Sequence, residues 1–222
     1  MEVTKDIFFE HETSISNENW KVDLSYESSN AKTKKLELNE NIPIIQVTSE
    51  NFYTAIKIDA TDNKGSMKSC ILSGIDGSFI LFSKSKGENQ YQSVLINNDN
   101  LILSLGFTLI SIDLKTLNIN WKIRPDVAEV FEFYEFEKDI LLRGELGIHR
   151  IDLKGNIKWT FSARDIWVNT NGKKEVEIEK NAIRLFDWES NEYLIDFNGK
   201  IIEDKPFRVK NETQKKWWIW KK

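Results

Sequence analysis

The sequence predicts an all-β fold: one domain over residues 1–222, built as a propeller-like array of about five four-stranded blades, irregular or incompletely closed. Three observations lead there. Residues 139–159 read as three short strands joined by tight turns. Related stretches lie on both sides of that segment, about 40 residues away. In the first half, Trp20–Tyr26 alternates strictly between apolar and polar residues, the period-2 pattern of a strand with one buried face.

Residues 1–90 form the less regular portion. Strand-type runs occupy Ile7–Phe9, Trp20–Tyr26, Lys35–Leu38, Pro43–Thr48 and Phe52–Ile58, separated by polar turn material. A short helix over 27–35 is allowed by the pattern but not demanded. Residues 59–68 read as a solvated loop carrying Asp59, Asp62 and Asn63. They lack the terminal glutamate and flanking helices of a calcium-binding EF-hand. Ser69–Ser73 and Ser78–Ser83, joined by Gly74-Ile75-Asp76-Gly77, read as a hairpin.

The repeats are clearest over residues 91–222. Tyr91–Ile96 and Leu101–Leu105 flank an Asn97–Asn100 turn. The run into Gly106 matches the run Ile140–Gly144, Leu109–Lys115 matches Ile148–Lys154, and Asn118–Trp121 matches Asn156–Trp159. The offset is 38 residues at the glycine and the tryptophan and 39 at the aspartate. Glu192–Ile202 is a third, degenerate copy, displaced by 44 residues, with Glu203 where the tryptophan would fall. Units of this kind stack because a lone twisted sheet cannot bury both of its faces.

Composition narrows the function classes. A net charge of −4 and only three prolines among 222 residues describe a globular chain without the cationic surface that nucleic-acid binding needs. The lone Cys70 cannot form an intrachain disulfide, and one thiol with two histidines makes a dedicated zinc site unexpected. The N-terminus shows no basic-then-apolar leader, and no apolar run approaches the roughly 20 residues of a membrane helix. The expectation is a cytoplasmic protein with no cofactor, no metal and no nucleic-acid partner, and with membrane attachment disfavoured.

The repeated pattern around Asp113/Trp121 and Asp152/Trp159, with Asp196/Gly199 as a partial copy, resembles the repeat of quinoprotein-type (PQQ-like) β-propellers. That resemblance covers roughly residues 95–203. It implies an aspartate ending one strand, a tight turn, and a tryptophan on the next strand that docks on the neighbouring blade. It does not carry the quinone cofactor, because those dehydrogenases use a larger ring, a cysteine pair and a calcium site. The second half also resembles a group of small bacterial proteins with no established activity. Segments such as Gly144-Glu145-Leu146, Asn156–Trp159 and Arg164–Trp167 carry that likeness.

No phosphate loop, nucleophile elbow, His-Glu-x-x-His or Cys-x-x-Cys occurs. Repetition assigns Asp113, Asp152 and Asp196 to turn capping, and Trp121 and Trp159 to packing between blades. In 139–159 the members not shared between copies are Arg143, Glu145 and His149, and these are candidates for partner binding. His149 is expected to lie half-exposed on its strand. Arg164, Asp165 and Trp167 follow the best repeat and combine residue types enriched at interface hot spots.

The run Glu129–Glu137 mixes aromatics with glutamates so that neither face of a strand is apolar unless a bulge intervenes. Glu132 and Glu135 there form an acidic-aromatic surface suited to a basic partner. The tail Lys215–Lys222 joins three tryptophans to four lysines; a closing strand is its expected role, with membrane attachment the alternative. The functional expectation is a non-catalytic protein-binding module, toxin-neutralising (immunity-type) or scaffolding. The alternatives are a small carbohydrate-active enzyme using paired carboxylates, and a peripheral membrane protein.

Overall fold

The computed structural model describes residues 11–26, 42–48, 54–86 and 90–207. Within them lie eighteen strands and no helix. The strands expected at 7–9 and 35–38, the segment 27–35 and the tail 215–222 fall outside the described residues. The described residues form four sheets in succession, antiparallel except for one strand of the first; the strand count had predicted about five blades.

The first sheet contains β1 (His11–Ser16), β2 (Trp20–Tyr26), β3 (Ile44–Gln46), β4 (Ala55–Asp62) and β5 (Met67–Ser73), in the order β1-β2-β4-β5-β3. Residues 91–92 form β6, which joins the third sheet. The second sheet is β7 (Val94–Asn97), β8 (Asn100–Leu105), β9 (Thr108–Asp113) and β10 (Ile119–Ile123). The third is β11 (Val130–Phe136), β12 (Asp139–Gly144), β13 (Ile148–Asp152) and β14 (Ile157–Phe161), with β6 outside β11. The fourth is β15 (Val176–Ile178), β16 (Ile183–Phe186), β17 (Glu192–Ile195) and β18 (Ile201–Lys205).

Each sheet buries apolar side chains against the next. Val22, Ile58 and Leu72 of the first sheet meet Leu103, Ile110 and Ile112 of the second. Ile102 and Leu109 of the second meet Phe133, Ile140 and Ile151 of the third. Tyr134, Leu141 and Ile148 of the third meet Leu185, Tyr193 and Ile195 of the fourth. No apolar cluster joins the first sheet to the fourth among the described residues. The other faces of the two end sheets carry ion pairs beside apolar residues such as Ile71 and Phe186. Lys21 and Lys57 pair with Asp23 and Asp59 on the first, and Arg184 and Lys205 pair with Glu179, Glu192 and Glu203 on the fourth.

The repeated aspartates cap their turns. Asp152 Oδ1 accepts the N–H groups of Lys154 and Asn156, both at 2.9 Å, and Asp196 Oδ1 accepts those of Asn198 and Lys200 at 2.8 and 2.9 Å. Asp113 Oδ1 accepts from Thr116. The expected solvated loop at 59–68 is another copy. Asp62 Oδ1 accepts from Lys64 and Ser66, and β4 and β5 close tightly around Gly65. A fifth such turn is buried: Asp187 accepts from Asn191, and Ser190 takes the left-handed conformation with φ 64°.

The hairpin expected across Gly74–Gly77 does not form. The edge of β5 that Ser78–Ser83 would have used is taken by β3, which runs parallel to it, and Val47 N–H donates to Ser73 O. Residues 78–83 are instead an extended crossing between the first sheet and the inner edge of the third. The bulge expected in Glu129–Glu137 is present as a register shift between Val130 and Phe133. It turns Glu132 and Tyr134 toward the fourth sheet's side while Phe133 faces the second.

Candidate partner-binding site

Residues 78–84 and 129–135 lie side by side, tied at both ends. Ser78 N–H donates to Glu129 Oε1 at 2.8 Å, and Lys84 Nζ pairs with Glu135 Oε1 at 2.8 Å. Between the Lys84 and Glu135 ends sits β6. On one side it pairs with β11 through Gln92–Phe133 and Tyr91–Tyr134. On the other, Ser93 N–H donates to Phe82 O at 3.2 Å and Ser85 N–H to Tyr91 O at 2.9 Å. The crossing is therefore one strand away from β6 and two from β11.

After Ser93 the chain turns off into β7, where Ser93 O accepts Ser104 N–H. The line of β6 stops, but its two neighbours continue. What remains between them is a slot of about 450 Å³, lined by Ser78, Phe79, Ile80 and Phe82 on one wall and by residues 129–132 with Arg143 on the other. Its size falls within the ordinary range of ligand sites.

The crossing wall is fixed from behind. Phe79 and Leu81 are buried in the core shared by the first two sheets, and Leu81 N–H donates to Tyr26 Oη at 2.9 Å. Period 2 then turns Ile80 outward, where 71% of it stays exposed. Ser93 Oγ donates to Ile80 O at 2.9 Å and accepts Phe82 N–H at 2.8 Å. The opposite wall is fixed by a buried ion pair. Arg143 grips Glu132 as a fork, Nε to Oε1 at 2.6 Å and Nη2 to Oε2 at 2.7 Å, and its Nη1 donates to Trp167 O. The guanidinium also lies 4.5 Å from the centre of the Phe131 ring.

Burial opposes the charge of Arg143, but the Glu132 carboxylate outweighs it and raises the guanidinium's affinity for its proton. Burial, and then Glu132, push the Tyr134 hydroxyl up. With both carboxylate oxygens held by Arg143, Glu132 braces that wall. A pair so enclosed is costly to break and contributes little by itself beyond fixing geometry.

Glu132, Arg143 and Trp167 thus come together, and Glu135 closes the far end of the crossing. Glu145 joins through its backbone, its N–H donating to Glu129 O at 2.9 Å and its carbonyl accepting Trp167 N–H at 2.8 Å. Trp167 is fully buried among Phe161 and Tyr193 and offers no surface. Arg164 and Asp165 stand apart. Arg164 bonds Asp204 and the Tyr193 hydroxyl, while Asp165 caps its own backbone at Ile166.

His149 is only 1% exposed, against the expectation of a half-exposed strand histidine. The linker between the second and third sheets covers it. Its Nδ1 lies 2.9 Å from Thr160 Oγ1 and its Nε2 3.6 Å from Asp126 Oδ2. Asp126 in turn accepts N–H groups from Ala128 and Leu146. Desolvation lowers the pKa of His149, with Asp126 opposing it. This pair fastens the linker to β13 and is not available to a partner.

Ile80, Phe82 and Ser93 were not singled out by sequence. One signal was present: Phe79-Ile80-Leu81-Phe82 is apolar at every position, which a strand with one wet face does not need. Among the described residues no group of acids, histidines or cysteines could hold a metal ion.

No protein-family model and no curated protein matches the sequence. Among solved structures the chain is similar to BamB from Moraxella catarrhalis at 11% identity and a TM-score of 0.41, over 89% of this chain and 61% of that one. It is also similar to apo AztD from Citrobacter koseri at 12% identity and a TM-score of 0.43, over 88% of this chain and 59% of that one. The chain therefore spans about three fifths of the length of either structure.

Proposed function

We propose that this protein is a non-catalytic protein-binding module that takes its partner at the slot between residues 78–82 and 129–132. The observation carrying the reading is an apolar slot with rigid walls and an outward-facing Ile80, beside carboxylates that are already engaged internally. Exposed apolar side chains on a fixed frame are what interface anchors require. Glu129, which lines one end of the slot, suits a partner with a basic surface. Within this class the toxin-neutralising role is the version we favour, as it asks only for tight occlusion of another protein.

The test is affinity capture from the native host with the full chain and with Ile80→Asp, at matched thermal stability. We expect one partner held by the parent chain and reduced at least about tenfold by the substitution, the usual loss at an anchor. For the toxin-neutralising version, that partner's activity is abolished at one equivalent of the parent chain. Identical captured sets from the two proteins would sink the reading.

A further inference from the structure

We infer that Asn171 is a site of spontaneous modification, where the folded chain converts asparagine into isoaspartate and aspartate through a cyclic imide. The sequence holds two Asn-Gly pairs, 171–172 and 198–199, each followed by lysine. Glycine after asparagine lets the backbone nitrogen reach the side-chain carbonyl carbon, because no Cβ stands in the way. Both asparagines are exposed, so water reaches either one. The two pairs differ in what the fold does with the glycine.

Both sit in the same kind of turn. Asp196 Oδ1 accepts the N–H groups of Asn198 and Lys200 at 2.8 and 2.9 Å. Asn169 Oδ1 accepts those of Asn171 and Lys173 at 2.9 and 3.2 Å. The glycine is left-handed in each, with φ 77° at Gly199 and 79° at Gly172. At Gly199 the turn is closed: its N–H donates to Asp196 O at 3.0 Å, and a Cβ there would come within 2.8 Å of the Trp159 ring. At Gly172 the turn is open. Its N–H donates to nothing among the described residues, and apart from its chain neighbours nothing lies within 4 Å of where a Cβ would stand. Bringing Gly172 N onto Asn171 Cγ therefore breaks no bond of that nitrogen. At Asn198 the same rotation must first give up a main-chain hydrogen bond and lift the glycine from beneath the ring.

The chemistry needs water alone. Gly172 N loses its proton to hydroxide and attacks Asn171 Cγ; the N–Cγ bond forms, the Cγ–Nδ2 bond breaks, and Nδ2 leaves as ammonia with protons from water. Water then opens the cyclic imide. Cleavage at the main-chain carbonyl gives isoaspartate, with an extra methylene in the backbone, and cleavage at Cγ gives aspartate. The net change consumes a water and releases an ammonia. Nδ2 is the atom that donates to Ser190 Oγ at 2.8 Å, so either product loses that tie to the Asp187–Asn191 turn and places a negative charge beside it.

The test incubates the full chain at neutral and at mildly alkaline pH, folded and in urea. Peptide mapping by mass spectrometry follows both Asn-Gly pairs as amide becomes carboxylate, and enzymatic methylation of isoaspartate supplies the second readout. In the folded chain Asn171 should convert at least about fivefold faster than Asn198, the worth of one backbone hydrogen bond. The rate should rise with pH, isoaspartate should be among the products, and in urea the two rates should draw together. Equal rates in the folded chain, or Asn198 ahead, would overturn the inference. The same ratio in urea would also overturn it, because the difference would then belong to Thr170 and Phe197, the residues preceding each pair, and not to the turns. Aspartate without isoaspartate would do so too, since the amide would then be hydrolysed directly with no part for Gly172.

Discussion

The second and third sheets, and the third and fourth, are fastened at their rims in a way the first and second are not. Trp121 of β10 donates from Nε1 to Leu153 O at 2.9 Å, and its ring lies so close to Gly155 that a Cβ there would come within 2.8 Å of it. Trp159 of β14 does the same on the next turn, bonding Phe197 O at 3.0 Å above Gly199. Between the first and second sheets Lys68 takes this place, donating to Lys115 O. The turn it meets has Leu117, not glycine, at positive φ.

The difference separates two demands on one glycine. The aspartate-capped turn needs a left-handed residue whether or not a ring sits on it, as Gly65 shows with φ 83° and open space around it. A docked indole adds a second demand, that the residue have no side chain. Where lysine replaces the indole that demand lapses. Leu117 then spends about 1 kcal/mol on an unfavourable backbone while its side chain is buried in the core of the first two sheets.

The largest effect should come from violating both demands. Gly155→Val should cost about 4 kcal/mol, adding overpacking against Trp121 to backbone strain. Gly65→Val carries only the strain, about 1–2 kcal/mol. Urea denaturation at unchanged m-value reads the difference, and equal losses would refute the double demand. Next, Trp159→Ala should cost about 2–3 kcal/mol, below the value for a fully buried ring because its rim is wet. In that background Gly199→Ala should lose its steric part. A coupling of at least about 1 kcal/mol in the double-mutant cycle is expected, whereas additive losses would mean the ring and the glycine do not meet.

These rims were the legible part of the fold. The capping Asp recurs with Gly or Trp at matching spacing because a local turn and a single contact dictate them, and local geometry writes directly into spacing. The Asp62 turn was missed because Lys68 replaced the tryptophan that made the other copies visible. The false hairpin at Gly74–Gly77 had good turn chemistry, but a distant segment, β3, had already claimed the edge of β5. Of the candidate site, Arg143 was within reach because it is not shared between the repeats, and Glu132 because it lies in the acidic-aromatic run 129–137. Their partnership was not, since it depends on a bulge that reorients one strand. Ile80 could not be found from spacing at all, because the slot exists only where β6 ends.

The second and third sheets have another fastening, and pH can separate it from the tryptophan. His149 is held neutral by burial, its pKa below the ordinary 6.5. Between that depressed value and 6.5 the unfolded chain binds more protons, so stability rises with pH there and is lost as pH falls from 6.5. The loss is capped at about 1.4 kcal/mol per pH unit for a single group. His149→Gln should flatten the melting temperature between pH 7 and 5, while Trp121→Ala should lower it without changing its slope. An unchanged slope in His149→Gln would remove the histidine from the pH response.

The smallest effect tests the lysine clasp itself. Lys68 is exposed and its one rim bond is to a carbonyl in water. Lys68→Met should therefore change stability by no more than about 0.5 kcal/mol. The first two sheets can do without a rim clasp because they share the broadest of the three apolar clusters, reaching from Trp20 and Val22 through Leu81 to Leu117. Placing a tryptophan there should then gain nothing unless the receiving turn is opened too. Lys68→Trp alone should be neutral or destabilising against Leu117, and Lys68→Trp with Leu117→Gly should recover part of that loss by relieving the left-handed strain. Stabilisation by Lys68→Trp alone would show that the glycine beneath each indole is not part of the clasp.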